Sequence, residues 1–263
     1  MKMVPTFVHI IDYKNLGDSF CCPREISAWP DAPEVDIRKL SDGDTPIIVG
    51  GGGLLHTGED AWIEKVSQSR PCFVWGIGLN YHEKAPDDWP RFLRHCRLVG
   101  LRDRWLSRSN GFEWAPCPSV LKFDWKEARK VAPAHPIITY SHYNYPLLKR
   151  GPFMTNFDDK TIEEVVSFLA SGETIVTNTY HGILWGMLLR RRVIVMKPFS
   201  CRFFLFSPPL EFVENQMQLE WRLLQKPELP DILDEYRQRS LAFKAKLEVA
   251  VSRCLSPSER SDP

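Results

Sequence analysis

Short apolar runs, each closed by glycines or small polar residues, constrain this chain more than any other feature. Thr45–Val49 (TPIIV) runs into Gly50–Gly53, Pro71–Gly76 (PCFVWG) into Gly76–Gly78, and Thr174–Asn178 into Thr179–Gly182. Val4–Ile11, Arg97–Leu101 and Phe112–Ala115 have the same character. Continuous apolar runs read as strands buried on both faces, because a strand with one wet face alternates apolar and polar residues. Helix-like stretches, notably Glu59–Ser69 and Pro86–His95, separate them. That alternation predicts a parallel sheet covered on both sides.

The pattern pauses at Lys126–Pro136, which reads as a linker, and then restarts. Pro136–Tyr140 is a predicted strand. Asp158–Ser171 is a predicted helix, with Ile162, Val165, Val166 and Leu169 at helical spacing and Gly172 as its C′ residue. Thr174–Asn178 follows as a strand, Gly182–Leu189 as an almost wholly apolar helix and Arg192–Lys197 as a strand. The expected fold is α/β, two Rossmann-like parallel-sheet domains facing a cleft. Residues 1–130 form the first domain. Residues 131–255 form the second, closed by a long helix over Asp231–Leu255, and residues 256–263 form a frayed tail.

Composition excludes several classes. A net charge of +1 with no basic excess gives no electrostatic footprint for nucleic acid. No run of eighteen apolar residues marks an integral membrane segment. The seven cysteines are scattered without a C-x-x-C, which reads as reduced thiols in a cytoplasmic protein with no metal site.

In parallel α/β sheets ligands bind beyond the carboxyl ends of the strands, so the residues following each run are the candidates. Asn15, Gly17 and Asp18 follow the first. Asp18 reads either as a helix N-cap or as a carboxylate that deprotonates a hydroxyl. Gly51, Gly52 and Gly53 follow the second, where successive backbone amides suit a phosphate or another oxyanion. Arg102 follows the fourth, as an anion ligand or as half of a surface pair with Asp103. Thr179, Tyr180, His181 and Gly182 stand where a strand becomes a buried helix, a site for an anion beside a titratable imidazole. Arg190–Arg192 reads as cations favoured by a helix C-terminus.

Taken in order, these stretches resemble the polysaccharide pyruvyl transferase family. An N-x-G-D stands at Asn15–Asp18, a G-G-G-x-L at Gly51–Leu55 and a G-x-G at Gly76–Gly78. An R-D with a following Ser stands at Arg102–Asp103 and Ser107, a P-D-like turn at Cys117–Pro118–Ser119, and an R-L-H-G-like turn at Thr179–Tyr180–His181–Gly182. The resemblance implies a GT-B-like pair of domains and transfer of a pyruvyl group from phosphoenolpyruvate to sugar hydroxyls as a ketal, in exopolysaccharide biosynthesis. It implies a sugar or glycan acceptor, peripheral association with a lipid-linked glycan, and no cofactor or metal beyond the donor itself. His181 becomes the acid or phosphate partner and Asp18 the base. The family's Arg is Thr179 here, and Arg202, after the last strand of the half, is the cation that takes its place.

Two other functions share these features. A GT-B-type glycosyltransferase using a nucleotide sugar would use the same glycine turns, with Glu211 or Glu214 against the ribose. A non-catalytic glycan-assembly protein would keep the fold and lack the donor site.

Overall fold

The computed structural model describes residues 3–11, 15–41, 43–56, 58–82, 84, 87–157 and 160–256. The chain begins with β1 (Thr6–His9), α1 (Leu16–Phe20), β2 (Glu34–Asp36), β3 (Ile47–Gly50), α2 (Glu59–Ser69) and β4 (Cys72–Ile77). It continues with β5 (Leu98–Leu101), α3 (Arg104–Ser109) and β6 (Glu113–Trp114). These six strands form one parallel sheet in the order β2-β1-β3-β4-β5-β6. All of β1, β3 and β4 is buried, as runs without polar alternation require.

Next come α4 (Trp125–Ala128), β7 (His135–Ser141), β8 (Phe153–Thr155), α5 (Ile162–Ala170), β9 (Gly172–Thr177) and α6 (Tyr180–Leu188). They are followed by β10 (Arg192–Met196), β11 (Glu211–Val213), α7 (Gln216–Leu223) and α8 (Leu233–Leu255). The second sheet is also parallel, in the order β11-β10-β9-β7-β8.

The two orders match. In each sheet the first strand by chain order has the second on one side and the third on the other. Crossovers therefore leave in opposite directions between β1 and β3, and again between β7 and β9. Loops diverge at such a point and leave a crevice at the carboxyl edge.

Packing divides the chain into one compact unit of Met1–Ile11, Asp18–Lys122 and Tyr236–Pro263, and another of Asp12–Gly17 and Phe123–Glu235. This differs from division by chain order, which assigns all of 131–255 to the second half. Most of α8 belongs with the first sheet. Its Phe243, Leu247 and Val251, spaced four apart on one face, pack on Phe7, Ile48, Phe73 and Trp75. Gly100 makes room for it, since a Cβ there would fall 2.5 Å from the Phe243 ring.

Several local expectations are corrected. The predicted linker Lys126–Pro136 contains most of α4 and the start of β7, and α4 buries Trp125 completely. Of the predicted helix Pro86–His95, the described residues hold only a 3₁₀ stretch, Trp89–Leu93. The predicted helix from Asp158 starts at Ile162 with a capping box from Thr161 and Glu164. Pro86, Asp158, Asp159 and the tail after Ser256 lie outside the described residues. Arg190–Arg192 do not act together as helix-end cations. Arg191 donates to the carbonyls of Val131 and Ala170. Arg192, in β10, grips Glu211 bidentately at 2.9 and 2.7 Å. All seven cysteines are free thiols. Among the described residues no helix is long and apolar enough to cross a membrane.

Candidate active site

His181 is on the first turn of α6, which starts two residues before the predicted Gly182 because Thr179 caps it. The Thr179 hydroxyl accepts from the Gly182 amide at 2.9 Å and pairs with the Thr177 hydroxyl at 3.1 Å. The predicted ligand roles of Thr179 and Gly182 therefore change: the hydroxyl and the amide satisfy each other. Gly182 is glycine for space, because a Cβ would fall 2.6 Å or less from Thr179 Oγ1, Thr177 Oγ1 and Tyr140 Cδ1.

The imidazole of His181 is walled by rings. Trp185, one turn further along α6, lies 4.9 Å from it between centroids, and Tyr180 meets it edge-on at 5.3 Å. Trp185 in turn packs on Trp125 of α4 at 6.4 Å. On another side is Gly17, where a Cβ would fall 2.1 Å from His181 Nδ1. The N-x-G-D stretch thus brings its glycine to the histidine of a turn more than 160 residues away. Neither motif predicts this contact from sequence.

Beside it, the loop after β7 is tied to the strand end by Asn178. Its side-chain oxygen accepts from the His142 amide at 2.8 Å and its side-chain nitrogen donates to the Tyr145 carbonyl at 2.7 Å. His142–Tyr145 and Asn178–His181 therefore follow β7 and β9 side by side at the carboxyl edge of the sheet. Arg202 sits in a 3₁₀ stretch, Cys201–Leu205, after β10. Its guanidinium lies over Phe199 at 5.3 Å and Phe203 at 5.0 Å, which holds the cation in place.

In the first unit Asp18 lies within α1 and is not its N-cap. Its Oδ1 is 3.5 Å from where a Cβ on Gly52 would sit. The glycine turn follows β3 with Gly51 at φ +80° and Gly52 at φ +81°, the left-handed region that only glycine enters freely. Gly51 is further confined by the Cys21 carbonyl, 2.3 Å from its would-be Cβ. The Gly51 amide continues the ladder to the Trp75 carbonyl, and Gly53 packs on Asn80. The amides of Gly52 and Gly53 have no hydrogen-bond partner among the described residues. An anion or a hydroxyl is the kind of guest that satisfies them.

Arg102 and Asp103 are not a surface pair. Both are buried at the end of β5, and Gly78 leaves the room they occupy, since a Cβ there would fall 2.4 Å from Arg102 Nε and 2.5 Å from Asp103 Oδ2. Burial raises the Asp103 carboxyl to about 6, against the lowering pull of Arg102 and of the Leu79 amide that it accepts from at 3.3 Å. Sequence reading passed over Asp103 as a proton carrier, because only burial brings its pKa close to neutrality.

That raised pKa has a consequence for stability. Because the folded value exceeds the unfolded one, the stability Asp103 contributes is complete below about pH 4 and is lost as pH rises through about 6. Asp103→Asn is expected to gain on the wild type by up to about 3 kcal/mol between pH 4 and pH 7.5. Urea unfolding of both proteins at a series of pH values measures the difference. A difference that does not change with pH contradicts the assignment.

Comparison with known proteins agrees with the order of motifs. The family model "Polysaccharide pyruvyl transferase" matches residues 2–198. No curated protein sequence matches the chain. Among solved structures, one described as a functional uncharacterized protein, KP1_0663 from Klebsiella pneumoniae subsp. pneumoniae NTUH-K2044, is similar at 15% identity and a TM-score of 0.49, over 80% of this chain and 93% of that one. With its motifs in order along two parallel sheets and three quarters of its length within the family model, the chain belongs to the polysaccharide pyruvyl transferase family.

Proposed function

We propose that the chain transfers the pyruvyl unit of phosphoenolpyruvate to two hydroxyls of a sugar, forming a cyclic ketal and releasing phosphate. A proton added to the donor's methylene carbon develops oxocarbenium character at the neighbouring carbon. One sugar hydroxyl attacks that carbon, phosphate departs with the electrons of the C–O bond, and the second hydroxyl closes the ring. Both hydroxyl protons leave. His181 supplies the proton or receives the departing phosphate, and Asp18 accepts a hydroxyl proton.

The observation that carries this reading is the setting of His181: an imidazole held by Trp185, Tyr180 and Gly17 at the carboxyl edge of the sheet, at the start of a buried helix. The Gly52 and Gly53 amides stabilise negative charge as it develops. Arg202, in the same unit as His181, is the cation for the donor. Asp18 stands beside the same glycine turn, where it accepts the proton of the attacking hydroxyl. The nucleotide-sugar alternative loses one ribose candidate, because Arg192 occupies the Glu211 carboxylate.

Thermal unfolding with phosphoenolpyruvate and, separately, with nucleotide sugars tests the donor. Phosphoenolpyruvate at a hundred times its Kd is expected to add about 2.7 kcal/mol of stability, with a smaller gain in His181→Ala. A shift with a nucleotide sugar and none with phosphoenolpyruvate overturns the proposal.

A further inference from the structure

Away from His181, one mixed set of side chains converges in the first unit. His9 ends β1, Glu34 begins the neighbouring β2, and Cys22 lies just after α1. One nitrogen, one sulfur and one carboxylate oxygen from the three lie within 4.8 Å of one another. The placement follows from the register: Phe7 pairs with Glu34 and His9 with Asp36, so His9 and Glu34 are diagonal neighbours on one face of the sheet. His9 and Cys22 are buried and Glu34 is half-buried.

We propose that His9, Cys22 and Glu34 form a binding site for a divalent cation of the zinc type. An imidazole, a thiolate and a carboxylate are the donors that such a cation takes, and three protein ligands leave a fourth position for water. Neutral imidazole, thiolate and carboxylate carry two negative charges, which a divalent cation cancels in a place where uncompensated charge is costly. The outer contacts agree. Glu34 turns one oxygen to His9 Nε2 and the other to Arg24 Nε at 3.0 Å, which orients the carboxylate. His9 Nδ1 is buried and has no hydrogen-bond partner among the described residues, so the ring has a nitrogen to offer.

Binding of a cation releases protons from its ligands, so its affinity rises with pH. Its effect is structural. It ties the turn at Cys21–Cys22 to β1 and β2, and this turn carries Asp18 at one end and confines Gly51 through the Cys21 carbonyl. The proposal does not depend on the identity of the donor.

The test uses the full chain, treated with chelator and titrated with cobalt(II), whose thiolate complexes absorb in the near ultraviolet. One cobalt per chain with that absorption, a raised melting temperature and competition by zinc are expected. Cys22→Ser should abolish the absorption while Cys96→Ser leaves it unchanged. Glu34→Gln, on a half-buried side chain, should weaken binding by at least the about 10–100-fold that loss of an outer partner costs and provides the reading if Cys22→Ser does not fold. No stoichiometric cobalt binding, or a thiolate band unchanged in Cys22→Ser or, where that protein does not fold, an affinity unchanged in Glu34→Gln, overturns the proposal.

Discussion

Gly17→Ala is expected to lower turnover by about 100- to 10,000-fold, the range for losing a positioned acid or base, although it adds only a methyl group. That methyl would fall 2.1 Å from His181 Nδ1, so the ring must leave its place between Gly17 and Trp185. His181→Ala should lose the same factor, and the double variant should be no worse than His181→Ala alone, because both act on one group. Stability separates geometry from chemistry. In the wild type, Gly17→Ala overpacks a buried contact, at about 1–3 kcal/mol. In the His181→Ala background the space is empty, and the same change should cost little. Turnover of Gly17→Ala near wild type would refute the assigned role of His181. Equal destabilisation in both backgrounds would refute the contact.

The second large effect is on folding. Trp125→Ala is expected to cost about 3–5 kcal/mol, as removing a large buried ring does, and to lower activity as well. The ring is fully buried and packs on Phe123 at 5.2 Å and on Trp185 at 6.4 Å, the same Trp185 that walls His181. Trp125→Phe should recover much of the stability. Urea unfolding with a phosphate-release assay reads both effects. A loss below 1 kcal/mol would return residues 126–136 to the linker that composition alone suggests.

Local pattern carried much of the fold. Glu59–Ser69 is a helix over the predicted span, and the apolar runs at Ile47–Gly50, Cys72–Ile77 and Leu98–Leu101 are neighbouring parallel strands. Burial on both faces is written in consecutive residues, so it can be read without knowing the neighbours. Where the environment decided, the reading failed. Trp125 sits in a polar stretch whose one-turn helix exists because α4 has a core to enter. Arg192 reads as a helix-end cation until Glu211 is known to stand opposite. Asp103 is an ordinary acid until burial raises its pKa.

The sequence by itself determined the two rounds of parallel strands, the glycine turns and the family, because each is encoded in short contiguous stretches. Only the tertiary structure decided that Gly17 lies against His181, that α8 covers the first sheet, and that His9, Cys22 and Glu34 meet. Those partners are separated along the chain, and they become neighbours only when strand order and register are set. That choice is made by the burial of whole faces, which no single segment specifies.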